Sequence, residues 1–254
     1  MTERTNDDLA DAGRSDVERS DVERSDVEAM SPLDSLGVMA MQSVAVDHHL
    51  DHLELYSSQG LLSILWHGAA DAENVVVCVG GAMGGLLGPD QGLYQRLGQA
   101  LPALGIGVMR VDYRRPNDLS MCELDTIASM ELAGRHGAKR FVTMGHSFGG
   151  AVALRAAMHL DRTSAPGVVT FATQSAGCEN VAVLGDRDLL FFHGTNDQIL
   201  PAQSSEIVRM LAGTGEVAML DGVDHLLAPA GGLIFDRLME HLPKVFADQE
   251  SSTS

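Results

Sequence analysis

The stretch Arg140-Phe-Val-Thr-Met-Gly-His-Ser-Phe-Gly-Gly150 carries an apolar strand pattern into a glycine-flanked serine and on into a helical pattern. Its centre, Gly145-His-Ser-Phe-Gly149, has the form G-x-S-x-G, and the strand before and helix after are the context that motif requires. The spacing has a steric basis. A nucleophile on a sharp strand-to-helix turn has strained backbone geometry and an exposed hydroxyl, so the residues two before and two after must be small. Gly145 and Gly149 meet that need, and Gly150 lets the helix pack closely on the sheet. The helix aims its N-terminal amides at the same spot, which favours a developing anion. Ser147 is the candidate nucleophile; its ordinary alternative is an incidental serine in a glycine-rich turn.

On both sides of this stretch, strand and helix patterns alternate. His52–Tyr56 and Leu61–Trp66 read as short strands joined by a turn at Ser57–Gly60, and Asn74–Val79 as a buried central strand. Leu93, Leu97, Ala100, Leu101 and Leu104 recur at helical spacing. Ile106–Val111, Arg140–Met144, Gly167–Ala172, Asp188–Phe192 and Glu216–Leu220 read as strands. Leu124–Leu132, Phe148–Leu160, Ser204–Leu211 and Ile234–Val245 read as helices. Such alternation predicts an α/β fold, a mostly parallel sheet with an antiparallel N-terminal start and helices on both faces.

Two later segments supply partners for the serine. Asp197, in His193-Gly-Thr-Asn-Asp-Gln-Ile-Leu-Pro201, follows a buried strand and so belongs to the same sheet edge as Ser147. Its ordinary alternative is a turn or cap residue. His225, in Leu220-Asp-Gly-Val-Asp-His-Leu226, lies in the loop after the last strand. A lone histidine is usually structural. Here the chain order Ser147, Asp197, His225 is that of a serine-hydrolase triad, and each residue follows an expected strand.

Over about residues 45–247 the sequence resembles the α/β-hydrolase superfamily, in its G-H-S-F-G-G elbow, its H-G-x-x-D segment and its D-H pair. The resemblance implies a serine hydrolase with Ser147, Asp197 and His225 as triad. It also implies an oxyanion loop at Val77-Cys-Val-Gly-Gly-Ala-Met-Gly-Gly85, where Gly80-Gly81 stands in place of the His-Gly of many members. By position the oxyanion donors are the backbone N–H groups of Ala82 and Phe148, with Met83 the second choice for the first. Many members insert a helical cap after the sixth strand; here only about fifteen residues, Thr173 to Arg187, occupy that place. The expectation is a compact, lidless form similar to dienelactone-hydrolase-like and simple esterase members, acting on a small-molecule ester or thioester without metal or organic cofactor. Peptidase, lactonase and perhydrolase chemistry use the same triad, and a non-catalytic binding protein is the other class. Candidate substrate contacts are Met83, His146, Arg114 and Arg115. The two arginines follow the fourth expected strand and serve either a substrate carboxylate or, more commonly, structural ion pairs.

Composition narrows the partners. The 254 residues include 17 Lys and Arg against 35 Asp and Glu, a net charge of −18, which disfavours nucleic acid and anionic lipid. The longest apolar run, Val75 to Gly88, falls short of the roughly 20 residues of a membrane span. With no apolar leader and three widely spaced cysteines (Cys78, Cys122, Cys178), a cytoplasmic protein with reduced thiols is expected. His48, His49 and His52 do not converge as zinc ligands must, so no metal is expected. Residues 1–40 are expected to be disordered. They contain three Ser-Asp-Val-Glu pentads whose valines fall about 140° apart on a helix and line no face, and residues 1–29 hold ten acids against four arginines. An alternative start at Met30, Met39 or Met41 is open. The hydrolase domain is expected over 41–247 and a frayed polar tail over 248–254.

Overall fold

The computed structural model describes residues 30–247. In chain order these form α1 (Pro32–Ser35), β1 (Val38–Asp47), β2 (Leu50–Ser57), β3 (Gly60–His67), β4 (Asn74–Val79), α2 (Leu93–Ala100), β5 (Ile106–Asp112), α3 (Leu119–Arg135), β6 (Arg140–His146), α4 (Phe148–Ala157), β7 (Gly167–Phe171), β8 (Asp188–Gly194), α5 (Gln203–Ala212), β9 (Glu216–Leu220) and α6 (Gly231–Ala247). The nine strands make one sheet, in the order β1-β2-β3-β5-β4-β6-β7-β8-β9. The pairs β1–β2, β2–β3 and β3–β5 are antiparallel, and every pair from β5 to β9 is parallel.

The unbroken apolar run of β4 has a two-sided cause. Side chains alternate along a strand, so Val75, Val77 and Val79 enter the core under α1, α3, α4 and α5, while Val76 and Cys78 enter the core under α2 and α6. All five are essentially inaccessible. Burying one such side chain contributes about 1.5–3 kcal/mol, which holds β4 at the centre of the sheet. The helices divide accordingly. Leu93, Tyr94 and Leu97 of α2 and Ile234, Leu238 and Leu242 of α6 close one face; Phe148 to Ala157 of α4 lie almost wholly inside the other.

Two expectations change. The disordered segment was expected to reach residue 40; residues 1–29 lie outside the described residues, but α1 and β1 begin within the remainder. Strand β1 precedes the first expected strand and shifts the count by one, so the short connection at Thr173–Arg187 joins β7 to β8. Its sequence, Val-Met-Ala-Met-Gln-Ser-Val-Ala-Val-Asp, is exposed along its whole length as the outer strand of the sheet. With neither face buried, no selection for alternation acts on it. The β7–β8 connection holds one short 3-10 turn, Val181–Leu184, and no cap helix. All three cysteines are buried and unpaired. Among the described residues no helix is long and apolar enough to cross a membrane, and no group of acidic, histidine or cysteine side chains is arranged to hold a metal. His48 and His49 sit in the β1–β2 turn, whereas His52 Nε2 lies 2.7 Å from Ser63 Oγ.

Candidate active site

Ser147 joins β6 to α4 with φ 58° and ψ −120°, a left-handed conformation that a residue bearing a Cβ rarely adopts. Packing enforces it. A Cβ on Gly145 would run into the Gly149 carbonyl, one on Gly149 into the Gly80 carbonyl, and one on Gly150 into Thr173. The three glycines thus permit the tight turn, its contact with the loop after β4, and the seating of α4 on the sheet. Ser147 N–H donates to Phe171 O at 2.8 Å, fixing the turn to β7. The side chain is partly exposed, and Oγ makes no hydrogen bond among the described residues.

The loop after β4 folds over this turn. A Cβ built on Gly81 lies 3.8 Å from both Ser147 Cβ and His146 Nδ1. Gly84 N–H donates to Gly81 O (2.9 Å), and Gly85 N–H donates to Asp112 Oδ1 (2.8 Å) at the end of β5. From the two faces of the sheet, Tyr94 Oη donates to Val79 O and Tyr113 Oη to Gly80 O, each at 3.1 Å. The loop is therefore held from three sides. The N–H groups of Ala82 and Phe148 have no acceptor among the described residues. Met83, beside Ala82, is 93% exposed.

Asp197 follows β8 and fills both of the roles its position suggests, one oxygen each. Oδ1 closes the turn, accepting from Ile199 N–H (2.8 Å) and Leu200 N–H (2.9 Å). Oδ2 lies 2.7 Å from His225 Nδ1 and 3.1 Å from His193 Nε2. Burial pushes this carboxyl up, but the His225 hydrogen bond and the two backbone donors outweigh it and hold the group below its usual value of 3.8. His225 comes from the loop after β9 and is 7% exposed. Its Nδ1 faces a carboxylate and so carries the proton, leaving Nε2 as the basic nitrogen.

The elbow reaches His225 through its neighbour. His146 Nε2 donates to the His225 carbonyl at 2.9 Å, and the two rings lie 4.9 Å apart. Burial drives the His146 imidazole down to about 4, so it is neutral at pH 7. His146, a candidate substrate contact by sequence, is 9% exposed and holds the loop of His225. Arg114 requires a correction. It is not at a substrate surface: Nε pairs with Asp125 Oδ1 at 2.6 Å, both side chains are fully buried, and its own N–H donates to Asp125 Oδ2 at 2.9 Å. A guanidinium sealed in the core needs a carboxylate, and α3 provides one eleven residues on. Arg115 beside it is exposed. Sequence reasoning missed the role of His193, although the residue stands at the head of the same segment as Asp197.

No family profile matches the sequence, and no curated protein sequence matches it significantly. Solved structures do. The chain is similar to Est1E from Butyrivibrio proteoclasticus, at 14% identity over 77% of this chain and 99% of that one, with a TM-score of 0.63. It is similar to XC6422 from Xanthomonas campestris, described as a serine hydrolase without lid, at 18% identity over 78% and 95% of the two chains, TM-score 0.60. It is also similar to a dienelactone hydrolase from Anabaena variabilis, at 14% identity over 79% and 98%, TM-score 0.58. The fold is the α/β-hydrolase fold without a cap.

Proposed function

We propose that this chain is a serine hydrolase that cleaves a small carboxylic ester or thioester through an acyl-enzyme. The observation that carries the reading is the pairing of a strained serine turn with a buried aspartate–histidine pair. Ser147 sits at φ 58° between β6 and α4, and His225 Nδ1 donates to Asp197 Oδ2 at 2.7 Å in loops at the same end of the parallel strands.

In this reading Nε2 of neutral His225 takes the Ser147 proton as Oγ attacks the carbonyl carbon. Asp197 fixes the tautomer and stabilises the imidazolium that forms. The Ala82 and Phe148 N–H groups receive the oxyanion, and loss of one such donor costs on the order of 10²–10³ in rate. The imidazolium protonates the leaving group, and a water activated by His225 hydrolyses the acyl-serine. No step draws on a metal or organic cofactor. The short β7–β8 connection leaves the serine without a cap helix above it, which suits accessible esters better than chemistry that must exclude water over a long acyl chain.

Labelling with a fluorophosphonate probe tests this. Wild type is expected to label, with Ser147→Ala and His225→Ala silent. A folded wild type that stays unlabelled would overturn the reading in favour of a binding protein. If it labels, a panel of short esters and thioesters identifies the acyl preference.

A further inference from the structure

On the α2 side of the sheet, a cleft of about 590 Å³ opens between the β1–β2 turn, the end of β3 and helix α2. None of the residues proposed for catalysis lines it. Its one arginine is Arg110 of β5, only 4% exposed. Arg110 Nε donates to His67 Nε2 at 3.0 Å, and Nη1 donates to Leu86 O at 3.3 Å. Nη2 has no hydrogen-bond partner among the described residues, and no carboxylate lies within ion-pair distance.

Of the two other arginines buried to this degree, Arg114 has Asp125, whereas Arg187 also lacks a carboxylate but gives Nη1 and Nη2 to the Ala157 and Leu160 carbonyls at 2.6 Å each, so that Nη2 of Arg110 is set apart by having neither. A cation taken out of water without a counter-charge is costly. Here its neighbour adds none: His67 is held down to about 4 by burial and by Arg110 itself, and so is neutral at pH 7. The floor is closely built. A Cβ on Gly98 would lie 2.7 Å from the His67 ring, so α2 can approach only with glycine there. Gln95 and Gln99 of α2 line the cleft and are exposed, and His48 and His49 line it from the turn. Asp47 also lines it; its Oδ1 is engaged by the His49 N–H at 2.7 Å.

We propose that this cleft is a binding site for a small oxyanion, a carboxylate or phosphate group, seated on the unpaired edge of the Arg110 guanidinium. With Nε and one Nη1 N–H already committed, the Nη2 N–H groups carry the contact as charge-assisted donors, and the Gln95 and Gln99 side-chain amides supply neutral donors beside it. The same guanidinium holds Leu86 in the loop that carries Ala82, so the occupant and that loop share one anchor.

Calorimetric titration of the full chain with sodium acetate and with sodium phosphate, each against sodium chloride at matched ionic strength, tests the site. Saturable binding at one site per chain is expected for at least one oxyanion: acetate alone identifies a carboxylate site, phosphate alone a phosphate site. Arg110→Lys, which keeps the charge and loses the Nη2 donors, is expected to weaken binding by about tenfold, the worth of one charge-assisted hydrogen bond. Gln99→Glu, at an exposed helix position that leaves the core untouched, is expected to weaken it through added negative charge, and it decides the matter if Arg110→Lys does not fold. Heats indistinguishable from chloride, or wild-type affinity in Gln99→Glu and in folded Arg110→Lys, overturn the proposal. Because the readout is binding, the result is independent of whether Ser147 is a nucleophile.

Discussion

His193 and His225 meet on a single oxygen, their Nε2 and Nδ1 atoms lying 3.1 and 2.7 Å from Asp197 Oδ2. The His193 tautomer follows from its other contacts. Nε2 also faces Leu200 O at 3.1 Å, which can only accept, so Nε2 carries the proton; Nδ1 then accepts from Ser205 Oγ at 2.7 Å. A fully buried ring thus restrains the carboxylate that His225 depends on. His193→Phe removes that donor and is expected to lower the fluorophosphonate labelling rate by about tenfold, one hydrogen bond to a charged group. An unchanged rate in the folded variant would remove His193 from the site.

Asp197→Asn tests both reactivity and stability. Under the proposed mechanism, its replacement is expected to cost on the order of 10⁴ in kcat on any ester the wild type cleaves. The folded-state carboxyl titrates below 3.8, so its contribution to stability is present above that value and is lost as pH falls through the lower folded one. Wild type is therefore expected to be the more stable protein at pH 7, with the gap closing below pH 3.8. Denaturant midpoints of the two proteins across that range give the answer.

The elbow glycines and a surface glycine should behave oppositely. Gly145→Ala sets a methyl against the Gly149 carbonyl, and a loss of several kcal/mol, about 3–4, or failure to fold is expected. Gly134 is exposed within α3 and has open space where a Cβ would stand. Gly134→Ala is expected to gain about 0.5–1 kcal/mol by helix propensity. Equal midpoints for the two variants would contradict the steric account of the turn.

Arg114 and Arg115, adjacent in sequence, should separate cleanly. Arg114→Ala strands Asp125 in the core, and breaking a buried pair costs about 3–5 kcal/mol. Arg115→Ala, at the surface, is expected to stay within about 0.5 kcal/mol of wild type. Thermal unfolding distinguishes them. If Arg114→Ala loses no stability, the buried pair is not holding α3 to the end of β5.

What could be read from the sequence divides along physical lines. The elbow was legible because its steric demand falls on residues two positions from Ser147. The parallel strands were legible because burial on both faces leaves continuous apolar runs such as Val75–Val79. Asp197 and His225 were legible from chain order and from their places after strands. The structure brings these two into contact, while the Ser147 turn meets His225 through His146. Strand β1 was hidden because a solvent-exposed edge imposes no pattern. The partner of Arg114 was eleven residues away and invisible without the path of α3. The direction of the His193 ring, toward Asp197 and Ser205, is set by how α5 packs on β8, and no local signal encodes it.

The strand order also dictates how the chain must be assembled. Strand β4 ends at residue 79, yet both strands that flank it come later: β5 finishes at residue 112 and β6 at residue 146. Strand β3 likewise waits for β5. A chain emerging from the ribosome cannot complete its central sheet from what has already been made: Val75–Val79 has two open edges until β5 ends at residue 112, and one until β6 ends at residue 146, when more than half of the protein exists. Pairing across such separations is slow, because loop closure precedes the contacts that reward it. This central apolar strand therefore waits for its partners through the synthesis of residues 80–146, and exposed apolar surface and open strand edges of that kind favour aggregation.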